Sequence, residues 1–138
     1  MDRELMAEKL ESLRRCLVRI QQRCPDNPEA LANDLDAQDI VSLNLTRAVQ
    51  ISVDVAAHLL ASTNQPAPET MAAAFDRLAS AGWIPKDLAT RLKKSVGFRN
   101  LAVHNYDAID WNIVFNICQH HLDDFVEFAG LIHRRLDP

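Results

Sequence analysis

The stretch DAQDIVSLNLTRAVQISVDVAAHLLA, residues 36–61, decides the fold. Val41, Leu45, Ala48, Ser52, Val55 and Leu59 succeed one another at steps of three and four, the period of one helical face. Ile40, Val49, Ile51, Val53, Ala56 and Leu60 carry the apolar surface beyond a single stripe, so the segment predicts a helix enclosed by neighbours rather than lying on a surface. No segment of the chain shows the strict alternation of a half-buried strand, and the fold class is therefore all-α.

Working outward, Met6, Leu10, Leu13, Leu17 and Ile20 predict an amphipathic helix over residues 3–23, with Asp2 as its cap. Cys24-Pro25-Asp26-Asn27-Pro28 breaks it, and Asn27 followed by Pro28 is also an N-cap with proline at the first helical position, opening a short helix to about Ala32. On the other side, residues 62–68 (STNQPAP) read as a loop, and Glu69 to Ala81 as a helix stopped by Gly82. Pro85 opens the next helix, whose apolar line is Leu88, Leu92, Val96 and Val103. A last helix runs from about Asp110 to Leu136 along Trp111, Val114, Cys118, Leu122, Phe125, Ala129 and Ile132. With short connections and no repeat, these elements predict an antiparallel bundle of four long helices plus one or two short ones, forming one domain over residues 1–138.

Composition limits the function. At 138 residues and 48% hydrophobic content the chain can close one core without disulfides or metals. A formal net charge of −4 excludes broad, sequence-independent adhesion to nucleic acid, so any RNA contact must be local. Cys16, Cys24 and Cys118 are odd in number, without a C-x-x-C spacing, and read as packing residues of a protein in a reducing cytoplasm. The N-terminus has no signal-like pattern. The longest apolar run is cut by Asp54 and His58, so no membrane span is expected and the protein reads as soluble.

The chemistry concentrates in residues 99–106, RNLAVHNY. On the helix opened by Pro85, the stripe Leu92, Val96, Val103 is interrupted by Arg99. A guanidinium on an apolar face needs a carboxylate, a phosphate or a cleft, because desolvating it unpaired costs several kcal/mol. An ion pair to Asp54 is the structural alternative. Asn100 and His104 lie about 100° and 140° from Arg99 on the helix, and Tyr106 returns to within about 20° of it, so that Arg99 and Tyr106 share one line. Gly97 lies one two-turn step below His104, where its missing side chain would admit a substrate or a second helix. Imidazole exchanges a proton near neutral pH and guanidinium binds two phosphoryl oxygens, a pairing suited to phosphodiester chemistry without metal. Asn100 would orient one of them. One His cannot obviously make both proton transfers, so a symmetry-related copy is attractive. Lys86, Arg91, Lys93 and Lys94 add a local basic run, for which a solvated face is the alternative.

Other candidates are weaker. Arg47, Gln50, Asp54 and His58 form a loose polar line on the central helix, where Asp54 could pair with Arg99 or orient His104, and His58 reads as a core or interface residue. Adjacent His120 and His121 point about 100° apart, which argues against a metal site with Cys118.

Arg99, Asn100, His104 and Tyr106, spaced as Arg-x4-His-x-Tyr on a late helix of an all-α chain, resemble the signature of the HEPN superfamily and specifically its HepT-like branch. The resemblance spans the chain in length and helix order. It implies a metal-independent endoribonuclease toxin, a homodimer with the motif lining a cleft between subunits, needing no cofactor. It also implies a minimal nucleotidyltransferase (MNT) antitoxin that can attach AMP to Tyr106, placing bulk and negative charge beside Arg99. The competing reading is a non-catalytic module that binds a nucleotide or presents a substrate to a nucleotidyltransferase. A purely structural helical dimerisation domain is the third.

Overall fold

The computed structural model describes residues 2–138. It contains α1 (Arg3–Arg23), α2 (Pro28–Ala32), α3 (Leu35–Ser62), α4 (Met71–Ser80), α5 (Lys86–His104), a 3-10 turn (Tyr106–Ala108), α6 (Trp111–His120) and α7 (Leu122–Leu136), with no strand among the described residues. The four long helices α1, α3, α5 and α7 close a ring in which each packs on the next and α7 returns to α1. The all-α bundle is the one the periodicities predict.

The local signals act as the sequence indicates. Asp2 accepts from the Leu5 amide at 3.0 Å and Asn27 from the Ala30 amide at 2.8 Å, satisfying amides that each helix start leaves without partners. All six residues of the α3 stripe are buried. Ser52, polar but fully enclosed, donates its hydroxyl to the Ala48 carbonyl at 2.8 Å, which is how a serine joins an apolar face. Phe75 of α4 meets Phe128 of α7 edge to face, ring centres 6.1 Å apart, within the core between the long helices.

The structure departs from the periodicities in three places. The fourth helix starts at Met71 instead of Glu69, because Thr70 caps it through the Ala73 amide at 3.0 Å. The expected single C-terminal helix is divided at His121, whose backbone (φ −124°, ψ 0°) leaves the helical region. Asp123 and Asp124 then occupy the first turn of α7, where carboxylates favour a helix start. The break lets α6 pack on α2 while α7 packs on α1 and α5, directions one straight helix could not serve. Finally, α5 ends at His104, so Tyr106 does not continue it.

Two further contacts tie the ends together. Gly82 adopts φ +84°, the left-handed conformation that glycine reaches without penalty, and closes α4. Its carbonyl accepts from Arg135 at 2.8 Å, and the same guanidinium lies 4.2 Å above the Trp83 ring.

Candidate active site

Arg99 lies on the last two turns of α5, where the apolar stripe leaves the core. Leu92 and Val96 are buried, but Val103, expected to continue the stripe inward, is 51% exposed. Arg99 is half-buried between these extremes. Its Nε is buried without a hydrogen-bond partner, and its Nη1 donates to the Asn100 Oδ1 at 3.1 Å. No carboxylate pairs with it among the described residues. An unpaired, partly desolvated guanidinium is a destabilising arrangement unless it meets an anion that the chain itself does not supply.

His104 is the last residue of α5 and is exposed. No hydrogen bond joins it to Arg99, as five helical steps predict: a rotation of about 140° and a rise of about 7.5 Å. Gly97 has open space where a Cβ would stand. It lines a groove of about 510 Å³ between α5, α6 and α7, whose apolar wall includes Phe98, Leu101 and Ile113. One protomer thus presents the two groups on adjoining strips beside an apolar groove.

Tyr106 corrects the expectation that it shares a line with Arg99. Asn105 takes φ −153°, ψ 65° and ends α5, and the chain turns so that the tyrosine reaches back to the start of α3. Its hydroxyl donates to Asp39 Oδ1 at 2.8 Å and lies 3.2 Å from Ser42 Oγ, while its ring packs against Trp111 at 5.9 Å, edge to face. Burial, with the Asp39 carboxylate adding to it, pushes the phenol above its ordinary range, opposed by the bond to Ser42. The hydroxyl is therefore neutral at physiological pH and remains 37% exposed at residue level. Asp39 and Ser42 had no signal in the sequence, since they lie 67 and 64 residues from their partner.

Asp54 does not serve Arg99 or His104 in this chain. It accepts from Gln50 at 3.1 Å and faces Lys9 at 3.9 Å. It also lies 12 residues beyond Ser42 on α3, about 18 Å along the axis. His58 is exposed rather than in the core. Two of the four cations in the basic run on α5 are tied up: Arg91 bonds Asp124 at 2.9 Å, Asp87 at 3.0 Å and Glu127 at 2.9 Å, and Lys93 meets Asp76 at 3.1 Å. His121 contacts Asp124 at 3.4 Å. Among the described residues no three His, Cys, Asp or Glu side chains gather into a metal-holding group. Burial pushes the Cys118, Cys16 and Cys24 thiols up in pKa. Thiols so held stay protonated and act as packing groups.

Comparison with known proteins shows the family to which the chain belongs. The family model described as ribonuclease HepT-like matches residues 13–132. The chain is 36% identical over 129 residues to the mRNA nuclease HepT of Shewanella oneidensis, covering 94% of this chain and 96% of that protein. Among solved structures, a tri-AMPylated Shewanella oneidensis HEPN toxin in complex with MNT antitoxin superposes with a TM-score of 0.90 at 35% identity, covering 97% of this chain and 99% of that one. A toxin–antitoxin complex with AMP-PNP gives a TM-score of 0.90 at 34% identity, covering 95% and 98%. The unpaired arginine, the terminal histidine and the tethered tyrosine therefore belong to a member of the HepT-like ribonuclease family.

Proposed function

We propose that this chain is a metal-independent endoribonuclease toxin of the cytoplasm, a single domain acting as a homodimer, restrained by a minimal nucleotidyltransferase antitoxin that attaches AMP to Tyr106. The observation that carries the reading is Arg99: a half-buried guanidinium with no carboxylate partner, five residues before an exposed histidine at a helix end.

In the RNA reaction, His104 of one protomer takes the 2'-hydroxyl proton as that oxygen attacks the adjacent phosphorus. Arg99 holds the phosphoryl oxygens as negative charge builds on them, and Asn100 fixes the guanidinium through the 3.1 Å bond. The 5'-oxygen departs with the bonding pair and receives a proton from the second His104, leaving a 2',3'-cyclic phosphate and a 5'-hydroxyl. The wide angle between Arg99 and His104 on one helix is met by a second copy, for which the exposed apolar side chains Val103 and Ile113 beside the groove provide a face.

In the restraining reaction, the Tyr106 oxygen attacks the α-phosphorus of ATP, pyrophosphate leaves, and Asp39, already hydrogen-bonded to that oxygen, takes the phenolic proton. The product oxygen has no hydrogen to donate. Its phosphate places a negative charge against Asp39, so the modified ring is driven from α3 and its AMP competes with RNA for Arg99.

The test is incubation of the purified chain with end-labelled RNA in EDTA. Cleavage with 2',3'-cyclic phosphate ends is expected, reduced at least about a hundredfold in His104→Ala. Cleavage that requires a divalent ion, or that persists in His104→Ala, contradicts the proposal.

A further inference from the structure

Pairing of Arg91 and Lys93 on α5 leaves a physical gap: a chain of net charge −4 must hold a polyanion. A cluster of unpaired positive charge lines a groove of about 640 Å³ between α1 and α3. Arg15 and Arg19 rise from α1 and Arg47 from α3, over a floor that includes Cys16, Ile40 and Ile51; no carboxylate lines it. All three arginines are exposed, and none has a carboxylate partner among the described residues. Arg15 makes only a 3.4 Å contact with the Ser12 hydroxyl, whereas its neighbour Arg14 is committed to Glu11 at 2.6 Å.

We infer that the groove between α1 and α3 is a track for single-stranded RNA, in which Arg15, Arg19 and Arg47 contact backbone phosphates and lead the strand toward the catalytic end of the bundle. The inference rests on the ribonuclease reading for the identity of the polyanion. Three features favour this occupant. Arg15 and Arg19, one helical turn apart, stand about 6 Å apart along the axis, comparable to the spacing of phosphates in an extended strand. Ile40 and Ile51 offer apolar contact to bases without selecting among them. The track is also continuous with the site: Ile40 follows Asp39, which holds Tyr106, and Arg47 is eight residues on, about 12 Å along α3. A protein partner would need carboxylates set to the same fixed geometry, whereas a single strand supplies phosphates in any register.

The experiment measures binding of a fluorescent oligouridine by anisotropy across a salt series, using His104→Ala protein so that the probe survives. Adding Arg15→Gln, Arg19→Gln and Arg47→Gln, all at exposed positions, should weaken binding at least about tenfold in low salt. It should also flatten the slope of log affinity against log salt by about 2, the loss of three single-strand phosphate contacts. A control removing three exposed charges outside both grooves, Arg3→Gln, Lys86→Gln and Arg134→Gln, should change the slope far less. With His104 intact, the groove variant should raise KM for long RNA and leave cleavage of a dinucleotide unchanged. An unchanged affinity and slope, or a loss matched by the control, overturns the track. So does intact RNA binding with lost dimerisation or lost antitoxin binding, which would make the groove a protein interface. If the parent chain cleaves no RNA but the groove variant still shows the lost slope, the ribonuclease reading falls and the track stands.

Discussion

Replacing Arg99 by methionine should make the protein more stable and catalytically dead, an outcome that separates a functional arginine from a structural one. Leaving a buried donor unsatisfied costs about 1–3 kcal/mol, and the Arg99 Nε is such a donor. Methionine keeps the unbranched length and the contacts of the arginine stem while removing that donor. The loss on the other side is the 3.1 Å bond to Asn100, which joins adjacent residues at the surface and is worth about 0.5 kcal/mol. The balance is a gain of about 0.5–2.5 kcal/mol, readable as a higher urea midpoint with unchanged slope. Loss of the group that holds the charge of the transition state should lower RNA cleavage by at least about a hundredfold. A loss of stability above about 1 kcal/mol would refute the reasoning, because it would mean that Arg99 is held by a partner whose removal costs more than the desolvation it relieves.

Tyr106→Phe removes the hydroxyl that bonds Asp39 and Ser42, and because the site is partly exposed we expect a loss of about 1–2 kcal/mol by chemical denaturation. The same variant should gain no AMP by intact mass when expressed with its antitoxin, while still cleaving RNA. Tyr106 is the single tyrosine of the chain, so its ionisation can be followed by tyrosinate absorbance; burial and Asp39 place the midpoint above the ordinary phenol value of about 10, and a midpoint at or below it would contradict the tether. Arg91→Ala leaves Asp124, whose side chain is 13% exposed, without its cation and unties α5 from α7; a loss of about 1–3 kcal/mol is expected in the urea midpoint, with RNA cleavage by the folded protein retained.

How much of this was legible in the sequence follows from the range over which each feature is decided. Helix periods and caps are local: the stripe from Val41 to Leu59 and the caps at Asp2 and Asn27 all fold as their neighbours dictate. The break at His121 was hidden because the apolar line runs on from Cys118 to Leu122 across it. What divides the helix is the different packing of its two halves, a tertiary matter. Arg99 and His104 could be found, since an arginine on an apolar stripe is a local contradiction. The tether of Tyr106 to Asp39 and Ser42 could not, because the turn at Asn105 swings the ring toward a helix formed more than sixty residues earlier. The basic run on α5 misled for the same reason: Asp124, Glu127 and Asp76, which pair with Arg91 and Lys93, come from other helices, while Arg15, Arg19 and Arg47 become one groove only when α1 meets α3.

The central claim is that Arg99 of one copy and His104 of another complete one metal-free site, and subunit mixing tests it most directly. Arg99→Ala and His104→Ala proteins, each inactive alone, are unfolded together, refolded as mixed dimers and assayed for RNA cleavage in EDTA. Return of part of the activity is predicted, because a mixed dimer retains one Arg99 facing one His104 across the interface while lacking the second histidine that protonates the leaving oxygen. A mixture as inactive as its components would contradict a site shared between subunits.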